Sequence, residues 1–262
     1  APPLLKVKDL KKEHVLSVGL FKKNKYLKAV QGVSFDLFKG ETLGLVGESG
    51  CGKSTLSRAL IYLDPPTKGS ILFQGKELSS MTSEQIRSIR KDIQFVFQDP
   101  YSALHPLKKI GQAIAEPLQV HQITLDSKET KIRVLELLEA VGLEASFYER
   151  HPYELSGGQR QRIVIARALA TEPKLIICDE AVAALDISVQ AQVLNLLNDL
   201  KEQFDLSYLF ISHDLNVVKY MSDKIMVMQN GLLVEYGEAD DLYINPKNTY
   251  TKKLIASIPK AQ

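Results

Sequence analysis

Nine residues limit what this chain can become. Gly47-Glu48-Ser49-Gly50-Cys51-Gly52-Lys53-Ser54-Thr55 follows directly on the apolar run Thr42-Leu43-Gly44-Leu45-Val46. The spacing Gly-x-x-x-x-Gly-Lys-Ser is that of a phosphate-cradling loop, and its context fits, with a strand predicted before it and a helix from about Ser54 after it. Glycine lets backbone N–H groups converge on phosphate oxygens where a β-carbon would block them. The positive end of the following helix adds to the attraction. Lys53 is expected to reach the outer phosphates. Ser54 is expected to give its hydroxyl to Mg²⁺, which prefers octahedral oxygen donors and keeps several waters. A glycine-rich turn without a ligand also accounts for the glycines, but not for the lysine and hydroxyl placed between a strand and a helix.

The rest of the composition excludes more than it specifies. The chain has 262 residues, 45% hydrophobic and 24% charged, with a net charge of +2. That is ordinary globular composition with enough length for a sizeable core. The small net charge implies no strong field for nucleic acid or anionic membrane, and Lys22-Lys23-Asn24-Lys25 reads as a solvated loop. No apolar run approaches the ~18 residues of a membrane span. The start Ala1-Pro2-Pro3-Leu4-Leu5-Lys6 lacks a signal-type apolar segment, so the reading is cytosolic, with membrane association through a partner. Two cysteines, Cys51 and Cys178, without Cys-x-x-Cys spacing read as buried small residues.

Along the chain, Leu4 to about Phe97 reads mostly as strands and turns, including Val33–Leu37, Ser70–Phe73 and Ile93–Phe97. From Asp99 to Gln159 the character changes. Asp126 with Glu129 three residues on predicts a capped helix start, Ile132, Leu135, Leu138 and Val141 predict its apolar stripe, and Gly142 its end. Then come a helix over Arg160–Ala170, a continuous apolar strand over Lys174–Cys178, a helix over Val189–Phe204 and a strand over Tyr208–Ile211. A terminal hairpin is expected around Asn230-Gly231. Strands alternating with helices predict a mostly parallel α/β sheet, with residues 99–159 as a helical lobe inserted in it. No internal repeat is visible.

A phosphate loop alone does not separate kinase, GTPase and motor. The carboxylate pair Asp179-Glu180 ends the apolar strand Leu175-Ile176-Ile177-Cys178, where ligands of α/β sheets gather. Asp179 is expected to partner Mg²⁺, directly or through water. Glu180 is expected to orient or deprotonate an attacking water. A pair of acids capping the next element is the structural alternative.

Leu155-Ser156-Gly157-Gly158-Gln159-Arg160-Gln161-Arg162 narrows the choice further. A polar side chain and two glycines before a helix can meet a second phosphate. This stretch resembles the signature of ATP-binding-cassette (ABC) ATPases, and the resemblance extends from about Leu4 to Pro259. It implies a P-loop NTPase (RecA-like) core with an N-terminal antiparallel β subdomain and an inserted α-helical subdomain. The whole chain, 1–262, is then one ABC ATPase domain: 1–98 and 160–262 form the nucleotide-binding core with the β subdomain, and 99–159 the helical subdomain. In that family two subunits pack head to tail, each ATP lying between one phosphate loop and the other's signature. By resemblance, Gln98 is the Q-loop glutamine contacting Mg²⁺ or water, Asp186 in Ala184-Leu185-Asp186 belongs to the D-loop crossing to the partner, and His213 is the switch histidine at the γ-phosphate. With every catalytic position intact, the resemblance implies a competent ATPase using ATP and Mg²⁺.

Two departures from the family stand out. Ala181 and Ala183 occupy positions where related importers have proline and serine, which implies altered cross-subunit tuning with Glu180 unchanged. The adenine-stacking aromatic of the family has three candidates near its expected place, His14, Phe21 and Tyr26, of which Phe21 is preferred.

Three stretches, Leu27–Leu37, Phe97–Pro106 and Asn245–Pro259, are similar to ATPase subunits of the oligopeptide/dipeptide/nickel importer group. That implies a second, homologous but different ATPase chain, two membrane-spanning permease subunits and an extracytoplasmic solute-binding protein, with this chain peripheral at the cytoplasmic face and no nucleic acid involved. Some members carry a cysteine-rich iron–sulfur segment near the C-terminus; no cysteine stands there, so no cluster is expected. Asp99–Pro106 would lie near the groove that receives a permease's coupling helix. Peptide is the first substrate expectation and nickel or a metal chelate the second. An ABC exporter subunit is disfavoured by the tail after Asn245, a soluble ABC protein by the lack of long coiled coils or a second cassette, and a P-loop kinase by the signature.

Overall fold

The computed structural model describes residues 1–19 and 22–258. The chain forms two compact units, Ala1–Arg87 with Tyr208–Gln262, and Ser88–Ser207.

The first unit carries an antiparallel sheet of order β2-β1-β4-β5, built from β1 (Leu5–Gly19), β2 (Lys22–Leu37), β4 (Lys68–Phe73) and β5 (Lys76–Glu77). Alternation along β2 turns Val33, Phe35 and Leu37 inward, and Val30 joins them across an irregularity in the pairing with β1. Also in this unit, β3 (Thr42–Val46) pairs in parallel with β8 (Ser207–Ser212) and β9 (Lys224–Gln229). Both β3 and β8 are buried along their whole length, as a parallel strand covered on both faces requires. Strand β10 (Leu232–Glu238) returns antiparallel to β9 through a tight hairpin. Asn230 and Gly231 sit at φ 50° and 80°, the left-handed pair that a two-residue hairpin turn demands. Helices α1 (Lys53–Leu60), α8 (Leu215–Met221), α9 (Ala239–Ile244) and α10 (Thr249–Ala256) complete the unit.

Helix α2 (Ser83–Asp92) carries the chain into the second unit. It is the element that the expected run of strands and turns over Leu4–Phe97 misses. Only Ile86 of its ten residues is buried, so it has no apolar stripe for the sequence to show. In the second unit β6 (Ile93–Val96) pairs in parallel with β7 (Leu175–Asp179), Ile93 opposite Leu175 and Val96 opposite Cys178. Helices α3 (Pro100–Ala103), α4 (Ile110–Val120), α5 (Ser127–Ala140), α6 (Gly157–Leu169) and α7 (Ile187–Phe204) complete this unit, with α6 packed on β6 and touching the other four.

The start of α5 follows its sequence signal. Asp126 Oδ1 accepts the Glu129 N–H at 2.8 Å, and Glu129 Oε2 accepts the Leu125 N–H at 2.7 Å. The apolar stripe differs from the expected one. Ile132 is 51% exposed, while Thr130, Val134, Leu137, Leu138 and Val141 are buried. Steps of three residues drift off a 3.6-residue helix, so the residues that stay on one face alternate steps of three and four.

Gly44 in β3 shows how tightly the first unit is packed. A β-carbon there would lie 2.4 Å from both Ser222 Oγ and Val218 Cγ1, so glycine allows α8 to approach the strand. Gly44→Ala is expected to destabilise the fold by about 1–3 kcal/mol, the usual range for overpacking, read as a lowered urea midpoint with unchanged slope.

Candidate nucleotide-binding site

In the first unit the phosphate loop joins the buried end of β3 to α1, and close approach of neighbouring backbone fixes its shape. A β-carbon on Gly47 would stand 2.2 Å from the Met228 carbonyl oxygen, and one on Gly52 2.2 Å from that of Ala29. Gly52 also adopts φ 108° and Gly50 φ 81°, values that disfavour side chains. Glycine at 47 and 52 is thus demanded by packing as well as by any ligand. Gly52 is the residue capping α1 and has no side chain to accept its first-turn N–H groups. Those donors, with the helix dipole, make an anion-binding end.

Lys53 is buried with its ammonium turned back into the loop. Nζ donates to the carbonyls of Gly47 at 2.6 Å and Glu48 at 3.0 Å. Carbonyl dipoles thus stand in for a counter-charge, and a phosphate oxygen could replace them. Cys51 is buried beside it, its thiol pushed up by burial against the opposing effect of the Lys53 charge. Ser49 and Ser54 are exposed and Thr55 half-buried. His213 stands exposed one residue past β8. The next residue, Asp214, caps α8 by accepting the Asn216 N–H at 2.9 Å.

Of the three aromatics considered for adenine, Phe21 lies outside the described residues. His14 is half-buried and Tyr26 is 54% exposed, on paired strands of the β sheet.

The second unit holds the other expected residues. Asp179 ends β7 and is buried, and Glu180 follows at φ 55°. This left-handed conformation is uncommon for a residue with a side chain and costs roughly 1–3 kcal/mol. Two turns follow at once, Ala183 N–H to Glu180 O at 3.0 Å and Leu185 N–H to Val182 O at 3.1 Å. Backbone bonds therefore shape the segment where the family uses proline and serine. Gln98 is exposed, just before Asp99, which caps α3.

Ser156 caps α6 in a reciprocal box. Its Oγ accepts the Gln159 N–H at 3.2 Å, and its own N–H donates to Gln159 Oε1 at 3.0 Å. The helix starts at Gly157, three residues before the expected Arg160, because this box turns both glycines into its first turn. Gly158 has Val189 against it, 2.5 Å from a built β-carbon. Asp186 caps α7 through its backbone and is exposed. Two arginines of α6 grip the segment after Gln98. The Arg160 guanidinium lies 3.9 Å from the Tyr101 ring centre, and Arg167 Nη1 donates to the Ala103 carbonyl at 2.9 Å. Sequence reading gave neither arginine a role; only the fold brings them to that segment.

Among the described residues no group of three or more His, Cys, Asp or Glu could hold a metal ion. Both cysteines are free and buried. No described helix is long and apolar enough to cross a membrane.

A phosphate loop, a capped signature helix and a strand ending in two carboxylates define an ATP-binding-cassette ATPase, and comparison with known proteins agrees. The ABC transporter family model matches residues 30–183. Over 258 residues the chain is 52% identical to the oligopeptide transport ATP-binding protein AppF of Bacillus subtilis (strain 168), covering 98% of this chain and 78% of that protein. It is 46% identical to the dipeptide transport ATP-binding protein DppF of Escherichia coli (strain K12), over 98% of this chain and 77% of that one. Among solved structures it resembles the dimeric post-hydrolysis state of the ATP-binding cassette MJ0796 bound to ADP and Pi, with TM-score 0.78 and 30% identity over 90% of this chain and 98% of that chain. The chain belongs to the ABC transporter family.

Two outcomes follow from the geometry. Gly47→Ala must displace either the loop or Met228, so ATP binding measured by calorimetry should fall at least tenfold while the protein stays folded. Burial, with the Asp179 charge adding to it, pushes the Cys178 thiol up to about 12. A raised thiol stays protonated and inert below that pH, so iodoacetamide at pH 8 should leave Cys178 unlabelled until denaturant is added, as read by mass spectrometry.

Proposed function

We propose that this chain is the ATP-hydrolysing subunit of an importer that carries peptides across a membrane. The observation that carries the reading is the phosphate loop, whose glycines leave no room for a β-carbon and whose lysine ammonium rests on displaceable carbonyls. Near-50% identity along almost the whole chain to proteins named for oligopeptide and dipeptide transport supports the substrate class.

On this reading Gly47 to Thr55 form the cradle that holds the phosphates, the Glu48 N–H staying on the Tyr250 hydroxyl, and Lys53 exchanges the carbonyls of Gly47 and Glu48 for phosphate oxygens. Ser54, Gln98 and Asp179 are the oxygen donors suited to Mg²⁺. Mg²⁺ is commonly held by one or two protein groups together with substrate phosphates rather than by an all-protein cage, which fits a chain lacking a carboxylate cluster among its described residues. When bound, it would neutralise charge on the phosphates. Glu180 accepts a proton from, or aligns, the attacking water. A base in that role contributes about 10²–10⁴-fold. His213 donates to the γ-phosphate. The Ser156 hydroxyl and the first-turn N–H groups of α6 face the nucleotide of a neighbouring ATPase subunit, and Asp186 belongs to the same contact.

The partners proposed are a second, homologous ATPase chain, two permease subunits and a solute-binding protein, with this chain at the cytoplasmic face. For the permease contact, the second unit offers a groove of about 350 Å³ lined by Phe95, Phe97, Pro117, Val120 and Arg167. Large apolar side chains that line it stand exposed, Phe97 at 41% and Val120 at 54%. Arg160 and Arg167 tie this region to the signature helix, so displacement of one would be felt by the other.

Glu180→Gln should keep ATP affinity and lower hydrolysis by about 10²–10⁴-fold, in a phosphate-release assay on the assembled complex. Lys53→Ala should instead weaken ATP binding itself. Normal turnover by the Gln variant removes Glu180 from the catalytic role.

A further inference from the structure

The outer wall of the phosphate loop is held from the C-terminal end of the chain. The Glu48 N–H donates to the Tyr250 hydroxyl at 3.0 Å. Tyr250 lies in the first turn of α10 and is 8% exposed. Its position is fixed in turn. Asn248 Oδ1 accepts the Tyr250 N–H at 2.8 Å, and Asn248 Nδ2 donates to the Val234 carbonyl at 3.3 Å. The Glu235 carboxylate accepts the N–H groups of Lys247 at 2.7 Å and Asn248 at 3.0 Å. A continuous set of hydrogen bonds therefore runs from β10 through the start of α10 to the loop. The hairpin turn braces the other flank, with the Gly231 N–H donating to the Cys51 carbonyl at 2.8 Å.

The Glu48 N–H and the Gly47 carbonyl are the two ends of one peptide plane. Tyr250 holds the first, and the Lys53 ammonium holds the second at 2.6 Å. When Lys53 turns to a phosphate, the carbonyl end loses its partner and the plane is free to rotate unless the amide end stays anchored. A rotated plane would aim the Gly47 carbonyl dipole differently within the cradle. Burial pushes the Tyr250 phenol up, against the Glu48 hydrogen bond. The phenol therefore stays protonated at neutral pH while its oxygen accepts from Glu48.

We propose that Tyr250 is a positioning residue for nucleotide binding, anchoring the Gly47–Glu48 peptide so that the loop keeps its shape when Lys53 moves to a phosphate. This rests on the phosphate-loop reading above and assigns the C-terminal helix a part in it. Tyr250→Phe keeps the ring and deletes the acceptor, leaving the Glu48 N–H without its partner. A hydrogen bond of this kind corresponds to a factor of about three to ten in equilibrium. ATP with Mg²⁺, titrated by calorimetry into the full-length chain, should bind the Phe variant weaker by that factor. In the assembled complex KM for ATP should rise by a similar factor, with kcat changing less than twofold. Wild-type affinity for Tyr250→Phe, with loss only in Tyr250→Leu, would mean that ring packing alone matters and would overturn the proposal. Should the Phe variant not fold, as judged by its unliganded melting transition, Glu235→Gln carries the test. It loosens the clamp on residues 247–248 and should weaken ATP binding by a smaller factor; unchanged affinity overturns the proposal. Lys53→Ala separates the two readings. Lost binding there beside a wild-type Phe variant discards only the anchor, whereas retained binding in Lys53→Ala discards the phosphate-loop reading itself.

Discussion

The contact on which the rest depends is the buried ammonium of Lys53 on the carbonyls of Gly47 and Glu48. A charged group so far from water must be neutralised or hydrogen-bonded. Here the loop's own dipoles do that, and they are weaker partners than a phosphate. Its surroundings follow from this need. Gly47 and Gly52 press against the carbonyls of Met228 and Ala29, which requires β9 and β2 to run where they do. The full burial of β3 supplies a rigid base, and α1 begins on a glycine cap with no side chain to meet its first donors.

The second unit solves a different problem, linking an exposed segment to a helix end. Residues 99–107 form a short helix and a loop with Tyr101 and Leu107 largely in solvent. Arg160 stacks on Tyr101 and also donates to the Pro152 carbonyl at 2.7 Å, just ahead of Ser156. Arg167, two turns further along α6, bonds Ala103 and lies 3.5 Å from Glu116. One helix therefore carries the signature at its N-terminus and grips the segment after Gln98 along its side. Residues joined by such direct contacts can be displaced together.

Much of this was legible because the decisive features are local. A glycine pattern between strand and helix and an aspartate before a helical run each report backbone geometry within a few residues, whereas the Ser156–Gln159 box, just as local, is missed by a helix start expected at Arg160. The parallel strands over Thr42–Val46 and Lys174–Cys178, the latter observed one residue on at Leu175–Asp179, are legible because burial on both faces leaves no polar alternation. Long-range features were hidden. Helix α2 buries only Ile86, so it shows no stripe. Ile132 was assigned to the wrong face because three-residue spacing mimics a helix period over a short run. Tyr250 and Glu48 are separated by 202 positions, and neither Arg160 nor Arg167 shows in the sequence what it touches. Side chains that brace a loop from a distance leave no periodic signal.

The most direct measurement is a crystal structure of the chain with Mg²⁺ and a non-hydrolysable ATP analogue. The account predicts the phosphates seated in the loop of residues 47–55, with the Glu48 N–H still on the Tyr250 hydroxyl and Lys53 Nζ withdrawn from the Gly47 carbonyl onto a phosphate oxygen. Nucleotide bound elsewhere, with Lys53 still resting on Gly47 and Glu48, would contradict it.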